Sequence, residues 1–210
     1  MHISEGVVDV RLCVGGYVCA AGLVAVALRK IKPEDIPKIS LMGAAFFASS
    51  LIHFKVGITS VHLTLIGLTG IILGTSSVAA LGAGLFFQAV MFQHGGLSTL
   101  GINTVLFALP ALAAHGGWRV MGRLFGRGHR HLLASGAALL AALSLIAAAL
   151  SAMLTIRFSG EAFAGFAWLF SASHALLAGV EGLVTFLVVD RLLTVKPDML
   201  QGTREETPRS

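Results

Sequence analysis

Residues 132–156 read LLASGAALLAALSLIAAALSAMLTI, an apolar run without a charged side chain, bracketed by Arg130 and His131 before it and Arg157 after it. A run of this length exceeds the roughly 20 residues that carry a helix through a bilayer core. In lipid the backbone must satisfy its own hydrogen bonds, so such a segment is a helix. A membrane β-barrel would show short alternating strands, and this run does not alternate. Working outward from it, similar runs predict helices at roughly 7–28, 39–54, 60–75, 77–93, 98–122, 132–156 and 163–190. The break between the third and fourth, Gly74-Thr75-Ser76-Ser77, is weak, and merging or shortening that pair gives six. The expected fold class is therefore all-α: a polytopic membrane bundle of about seven transmembrane helices.

Composition agrees. The chain is 56% hydrophobic and 12% charged, about half the roughly 25% charge of a soluble domain, and its mean hydropathy is +0.87. Residues 1–195 form one membrane domain in this reading, and 196–210, with Pro197 and Pro208, a short polar cytoplasmic tail. The net charge of +5 does not point to nucleic acid, because the basic residues sit in short segments between apolar runs. Cys13 and Cys19, six apart on one helix, are poorly placed for a disulfide and read as small packing residues.

The basic residues also orient the bundle. With seven spans, one side receives Arg29, Lys30, Lys32, Lys38, Arg119, Arg123, Arg127, Arg130, Arg191, Lys196, Arg204 and Arg209. The other receives only Arg11, Lys55 and Arg157. The positive-inside rule places the first group in the cytoplasm, so the N-terminus is expected outside and the C-terminus inside, in the cell membrane. The start, MHISEGVVDVR, has Glu5 and Asp9 where a secretory signal carries Lys or Arg, so the mature chain is expected to begin at Met1. Glu5 either caps the first helix or bonds to a loop. Ala44 and Ala48 make a small-xxx-small pair on the second helix, suited to internal packing or to docking a partner membrane subunit.

This topology gathers His2, His53, His62 and His94 near the outer ends of helices. His129 and His131 fall in the basic loop, His115 near the inner end of the fifth helix, and His174 within the seventh. Imidazole suits Ni, Co, Cu and Zn. A free Met-His start offers an amine nitrogen, the His2 amide nitrogen and the His2 Nδ1. Together these close a five- and a six-membered chelate ring, and one more imidazole completes a square of nitrogens, the geometry of Ni(II) or Cu(II).

Four segments carry a resemblance: MHISEG at 1–6, TSVHLTLIGLTGIILG at 59–74, HGGLSTLGIN at 94–103 and HALLAGVEGLVTF at 174–186. Their sequence and order resemble the CbiM/NikM family, the substrate-capturing membrane subunits of energy-coupling-factor transporters for cobalt and nickel. The resemblance implies a seven-helix bundle with the N-terminus folded into the site. It implies Met1, His2 and His62 as metal ligands, and His94, Ser98, Thr99 and Asn103 as groups that close around the site and orient the ligands. His53 has no such match. Val7, Val8 and Asp9 stand where many members carry aromatic and proline residues.

The implied activity is ATP-driven uptake of Co2+ or Ni2+ as substrate, with no tightly bound cofactor and no enzymatic reaction. The implied partners are a transmembrane coupling subunit, ATPase subunits and a small auxiliary membrane subunit. The chain itself has no GxxxxGK[ST] phosphate loop, and no HExxH for an intramembrane metalloprotease. His174 and Glu181, seven apart on one helical face, fit either an interhelical polar clamp or the proton relay of a stand-alone secondary transporter. A haem-binding membrane cytochrome would use paired helix histidines, whereas these cluster at one face.

Overall fold

The computed structural model describes residues 2–56, 59–126, 129–158 and 167–200. The N-terminal segment runs through a turn at Glu5-Gly6 and a bend at Val7-Val8 to Asp9, whose side chain accepts from the Arg11 N–H at 2.8 Å and starts α1 (Val10–Leu28). Asp9 rather than Glu5 is thus the cap that satisfies an orphan amide of this helix. A 3-10 turn at Pro33–Asp35 leads into α2 (Ile36–Leu51), and the chain then forms an antiparallel hairpin, β1 (His53–Val56) and β2 (Thr59–His62). The remaining helices are α3 (Ile66–Leu73), α4 (Ser77–Phe92), α5 (Leu100–Phe125), α6 (Arg130–Arg157) and α7 (Ala167–Val195).

The architecture is the expected helical one, and the hairpin is its departure. The helices predicted at 39–54 and 60–75 both run into it. An apolar run rich in Phe, Val, Ile and Thr serves a strand as well as a helix, and hydropathy does not separate them. What remains of the third predicted span is α3, whose eight residues extend only about 12 Å. Alone it cannot cross a bilayer core. Four helical stretches among the described residues are long and apolar enough to do so: Val10–Leu28, Ile66–Phe92 (α3 continuing through a 3-10 turn into α4), Leu100–Phe125 and Arg130–Arg157.

Helix α5 is the hub, bordered by α1, α3, α4 and α6, and α6 pairs with α7. Helix α3 is buried on every side because two glycines let its neighbours touch its backbone. A Cβ on Gly70 would stand 2.0 Å from the Ala111 carbonyl oxygen on α5, and one on Gly67 would stand 2.4 Å from Ala141 Cα on α6. Helix α6 buries Ala134, Ala137, Ala141, Ala148 and Ala152 and exposes Leu132, Leu139, Leu143, Leu150 and Leu154. Small residues inward and large apolar ones outward is the pattern of helices packed in lipid. Ala44 and Ala48 are exposed on α2. Beyond α7, Leu200 is buried in the same apolar cluster as Trp118, Leu133 and Val189. Residues 201–210 lie outside the described residues.

Candidate metal site

The N-terminal segment, the end of α2, the hairpin, the end of α4 and the start of α5 meet at one end of the bundle. There the four histidines grouped by the sequence come together. The His2 ring lies 5.1 Å from that of His62 and 6.3 Å from that of His94, centroid to centroid, and His62 and His94 are 6.5 Å apart. His53, given no role by the resemblance, is the Cα partner of His62 across the hairpin, and its ring stands 6.1 Å from His94. The spacing of two histidines across a potential hairpin was the signal that could have found it.

Each imidazole is prepared differently. Both ring nitrogens of His2 are buried and have no hydrogen-bond partner among the described residues, an expensive state for polar atoms unless something binds them. Burial first, then the positive charge of the chain terminus and the neighbouring imidazoles, hold the His2 pKa well below the ordinary imidazole range. The ring is therefore neutral and keeps a lone pair. His62 is buried as well, and its Nδ1 lies 3.0 Å from the Leu63 carbonyl. A carbonyl only accepts, so the proton sits on Nδ1 and the lone pair on Nε2. Burial likewise lowers the His62 pKa, as it does, more mildly, that of His94. His94 is half-buried, with its Nδ1 unpartnered.

The Gly-Gly loop grips the N-terminal segment. Asn103 accepts from the Ile3 N–H through Oδ1 at 3.0 Å and donates to the Ile3 carbonyl through Nδ2 at 3.0 Å. The Thr99 hydroxyl donates to the same carbonyl at 2.8 Å. Glu5 bonds to the loop, accepting from the Ser98 backbone N–H at 3.0 Å, so Ser98 contributes its main chain. Gly95 adopts φ +84°, and a Cβ there would stand 3.4 Å from His2 Cβ; one on Gly96 would overlap the Glu5 side chain at 1.9 Å. Glycine is required here for close approach and, at Gly95, for a left-handed turn. The Tyr17 hydroxyl on α1 donates to the Leu97 carbonyl and fixes the loop from outside. Thr99 and Asn103 thus touch the backbone beside His2 rather than an imidazole.

Met1 lies outside the described residues. Among the described residues, no group of three or more His, Cys, Asp or Glu side chains is disposed to hold a metal ion. The His2 and His62 rings are stacked, with an interplanar angle of 22°. Glu181 of α7 accepts hydrogen bonds from Thr64 and Leu65, two and three residues after His62, as a polar clamp would.

The chain is similar to known proteins along most of its length. The family model described as "Cobalt uptake substrate-specific transmembrane region" matches residues 2–199. A Haemophilus influenzae protein described as a metal transport protein is 32% identical over 206 residues, 97% of this chain and 98% of its own. A cobalt transport protein of Thermosediminibacter oceani is 34% identical, over 91% of this chain and 84% of its own. Two crystal structures of a transition metal transporter, one truncated, share the fold at TM-score 0.79 with 23% and 22% identity. They cover 92% and 91% of this chain.

Proposed function

The chain belongs to the CbiM family of cobalt-uptake membrane proteins, and from that premise we propose that it is the metal-capturing subunit of an ATP-driven cobalt or nickel importer in the cell membrane. The family and its fold make it a multi-pass membrane protein of transition-metal transport. The proposed site is the terminal amine of Met1, the amide nitrogen and ring of His2, and Nε2 of His62. His94, Ser98, Thr99 and Asn103 close over it. The site faces the outside, with seven spans, the N-terminus out and the C-terminus in. Residues 1–195 act as one metal-binding membrane domain, and 196–210 face the cytoplasm.

The observation that carries this reading is the His2 ring: both nitrogens buried, neither with a partner among the described residues, and stacked 5.1 Å from His62. A donor set of neutral nitrogens suits Ni(II) and Co(II). Selectivity then rests on the geometry of the donors, because raw affinity would favour copper. With no phosphate loop of its own, the subunit draws on ATPase partners through a transmembrane coupling subunit, assisted by a small auxiliary membrane subunit. Exposed Ala44 and Ala48 on α2 are compatible with close approach of such a subunit.

A stand-alone transporter would need Glu181 to exchange protons during the cycle. The three donors converging on its Oε1 favour a fixed structural contact instead. The test is metal retention and uptake. Purified His62→Ala should lose nickel and cobalt while staying folded, and His53→Ala should bind nearly as the parent does. Vesicles holding the protein alone should not accumulate metal, and vesicles with coupling and ATPase subunits plus ATP should. Equal losses at His53 and His62, or ATP-independent uptake, refute the reading.

A further inference from the structure

We propose that Glu181 is a positioning residue for the metal site, holding from α7 the end of the strand that carries His62. The proposal rests on the reading of His62 as a ligand. Glu181 lies midway along α7 and is fully buried. Its Oε1 accepts from the backbone N–H of Thr64, from the Thr64 hydroxyl at 2.8 Å and from the backbone N–H of Leu65 at 2.8 Å. The donors stand two and three residues after His62, and their acceptor is 117 and 116 positions further along the chain.

This contact answers two local problems. Between β2 and α3 the chain turns through Leu65 at φ 49° and ψ 24°, a left-handed conformation that a branched side chain seldom adopts unless its surroundings impose it. Helix α3 also starts without a side-chain cap of its own and is buried throughout, so water cannot serve its first amides. The Glu181 carboxyl meets both needs, supporting the turn and satisfying the Thr64 and Leu65 amides. The Leu63 carbonyl in turn fixes the rotation of the His62 ring through Nδ1 at 3.0 Å. Where residues 63–65 are held therefore decides where Nε2 of His62 points.

His2 is posed independently, by Asn103 and Thr99 of the α5 region acting on Ile3. The two halves of the site thus hang on different helices: His2 on α5, and His62 on α7 and, through the Ser49 hydroxyl that donates to the Leu63 carbonyl at 3.0 Å, on α2. A loss at Glu181 should displace one ligand and leave the N-terminal clamp intact. That is the signature of positioning, distinct from a general weakening of the bundle.

The test uses the full-length protein purified in detergent, with Ni(II) and Co(II) as probes. Affinity is read by calorimetry, and ligand placement by the ligand-field absorption of bound nickel. Glu181→Leu should lower affinity by about tenfold or more, the range for partners that orient metal ligands, and shift the nickel band. Glu181→Gln, which keeps an oxygen acceptor for the same donors, should restore much of the affinity. Ser144→Ala is the control: it removes buried bonds to the Pro110 and Leu140 carbonyls away from the site, and should leave affinity and spectrum unchanged. Parental affinity and spectrum in Glu181→Leu overturn the proposal, as does an equal loss in Ser144→Ala. Should Glu181→Leu not fold, Thr64→Val, which removes the Thr64 hydroxyl donor, decides: binding weaker than in Glu181→Gln supports the proposal, and parental affinity in Thr64→Val overturns it. His62→Ala, measured alongside, separates the two failures. Parental binding there refutes the ligand assignment, whereas loss there without loss at Glu181 refutes only the clamp.

Discussion

Replacing Asn103 with alanine should undock the N-terminal segment without unfolding the bundle. Asn103 is buried and makes two bonds to the Ile3 main chain, each 3.0 Å. A net intramolecular hydrogen bond contributes about 1 kcal/mol, and a buried donor left unmet costs about 1–3 kcal/mol more. The Ile3 carbonyl keeps its bond from Thr99, but the Ile3 N–H loses its acceptor. The sum is about 3 kcal/mol, which at 1.4 kcal/mol per decade is roughly a hundredfold. Because the bonds act on residue 3 and not between helices, the loss should appear in metal affinity rather than in thermal stability. Calorimetric titration with Ni(II) measures the first, and helical melting in detergent the second. Thr99→Val, whose acceptor remains bonded to Asn103, should cost only about 1 kcal/mol, roughly fivefold. Asn103→Ala binding within twofold of the parent, or a melting temperature that falls while affinity holds, would refute the assignment of this clamp to the metal site.

Other consequences can be measured separately. An uncleaved extension before Met1 turns the amine into an amide and should abolish high-affinity nickel or cobalt binding, whereas a C-terminal tag should not; stoichiometric metal in the extended protein removes the amine from the ligand set. Cysteine placed at His129 should resist impermeant thiol reagents in whole cells, and one at Phe158 should react, with the opposite pattern reversing the orientation. Gly70→Ala forces a Cβ against the Ala111 carbonyl at 2.0 Å and should destabilise by about 1–3 kcal/mol, read as a lower melting temperature. Gly116→Ala, with nothing within 4 Å, should leave it unchanged.

How far the sequence announced these features depends on the range of the forces involved. Helices α5 and α6 were legible almost to their ends, predicted at 98–122 and 132–156 and found at Leu100–Phe125 and Arg130–Arg157, because lipid imposes a length and charges mark its edges. The grouping of His2, His53, His62 and His94 followed from the same bookkeeping of ends. The hairpin was not legible, since an apolar run does not declare its period when both faces are covered. Nor was the cap of α1: the helix was expected from residue 7 with Glu5 as its candidate cap, whereas it begins at Val10 under Asp9 and Glu5 takes the loop as its partner. The partners of Glu181 were hidden for a deeper reason. Thr64 and Leu65 are remote from it in sequence, and the left-handed turn at Leu65 has no composition that betrays it.

The two clamps also set a timetable for biogenesis. The side chain that secures Ile3, the neighbour of His2, comes 100 positions later. At about 5–20 residues per second, that is a wait of roughly 5–20 s. His62 waits longer still, since its anchor on α7 lies 117 positions past Thr64. A nascent chain that has not reached α7 therefore carries both histidines without the contacts that hold them. Under the proposed ligand set, tight metal capture awaits the insertion of α7.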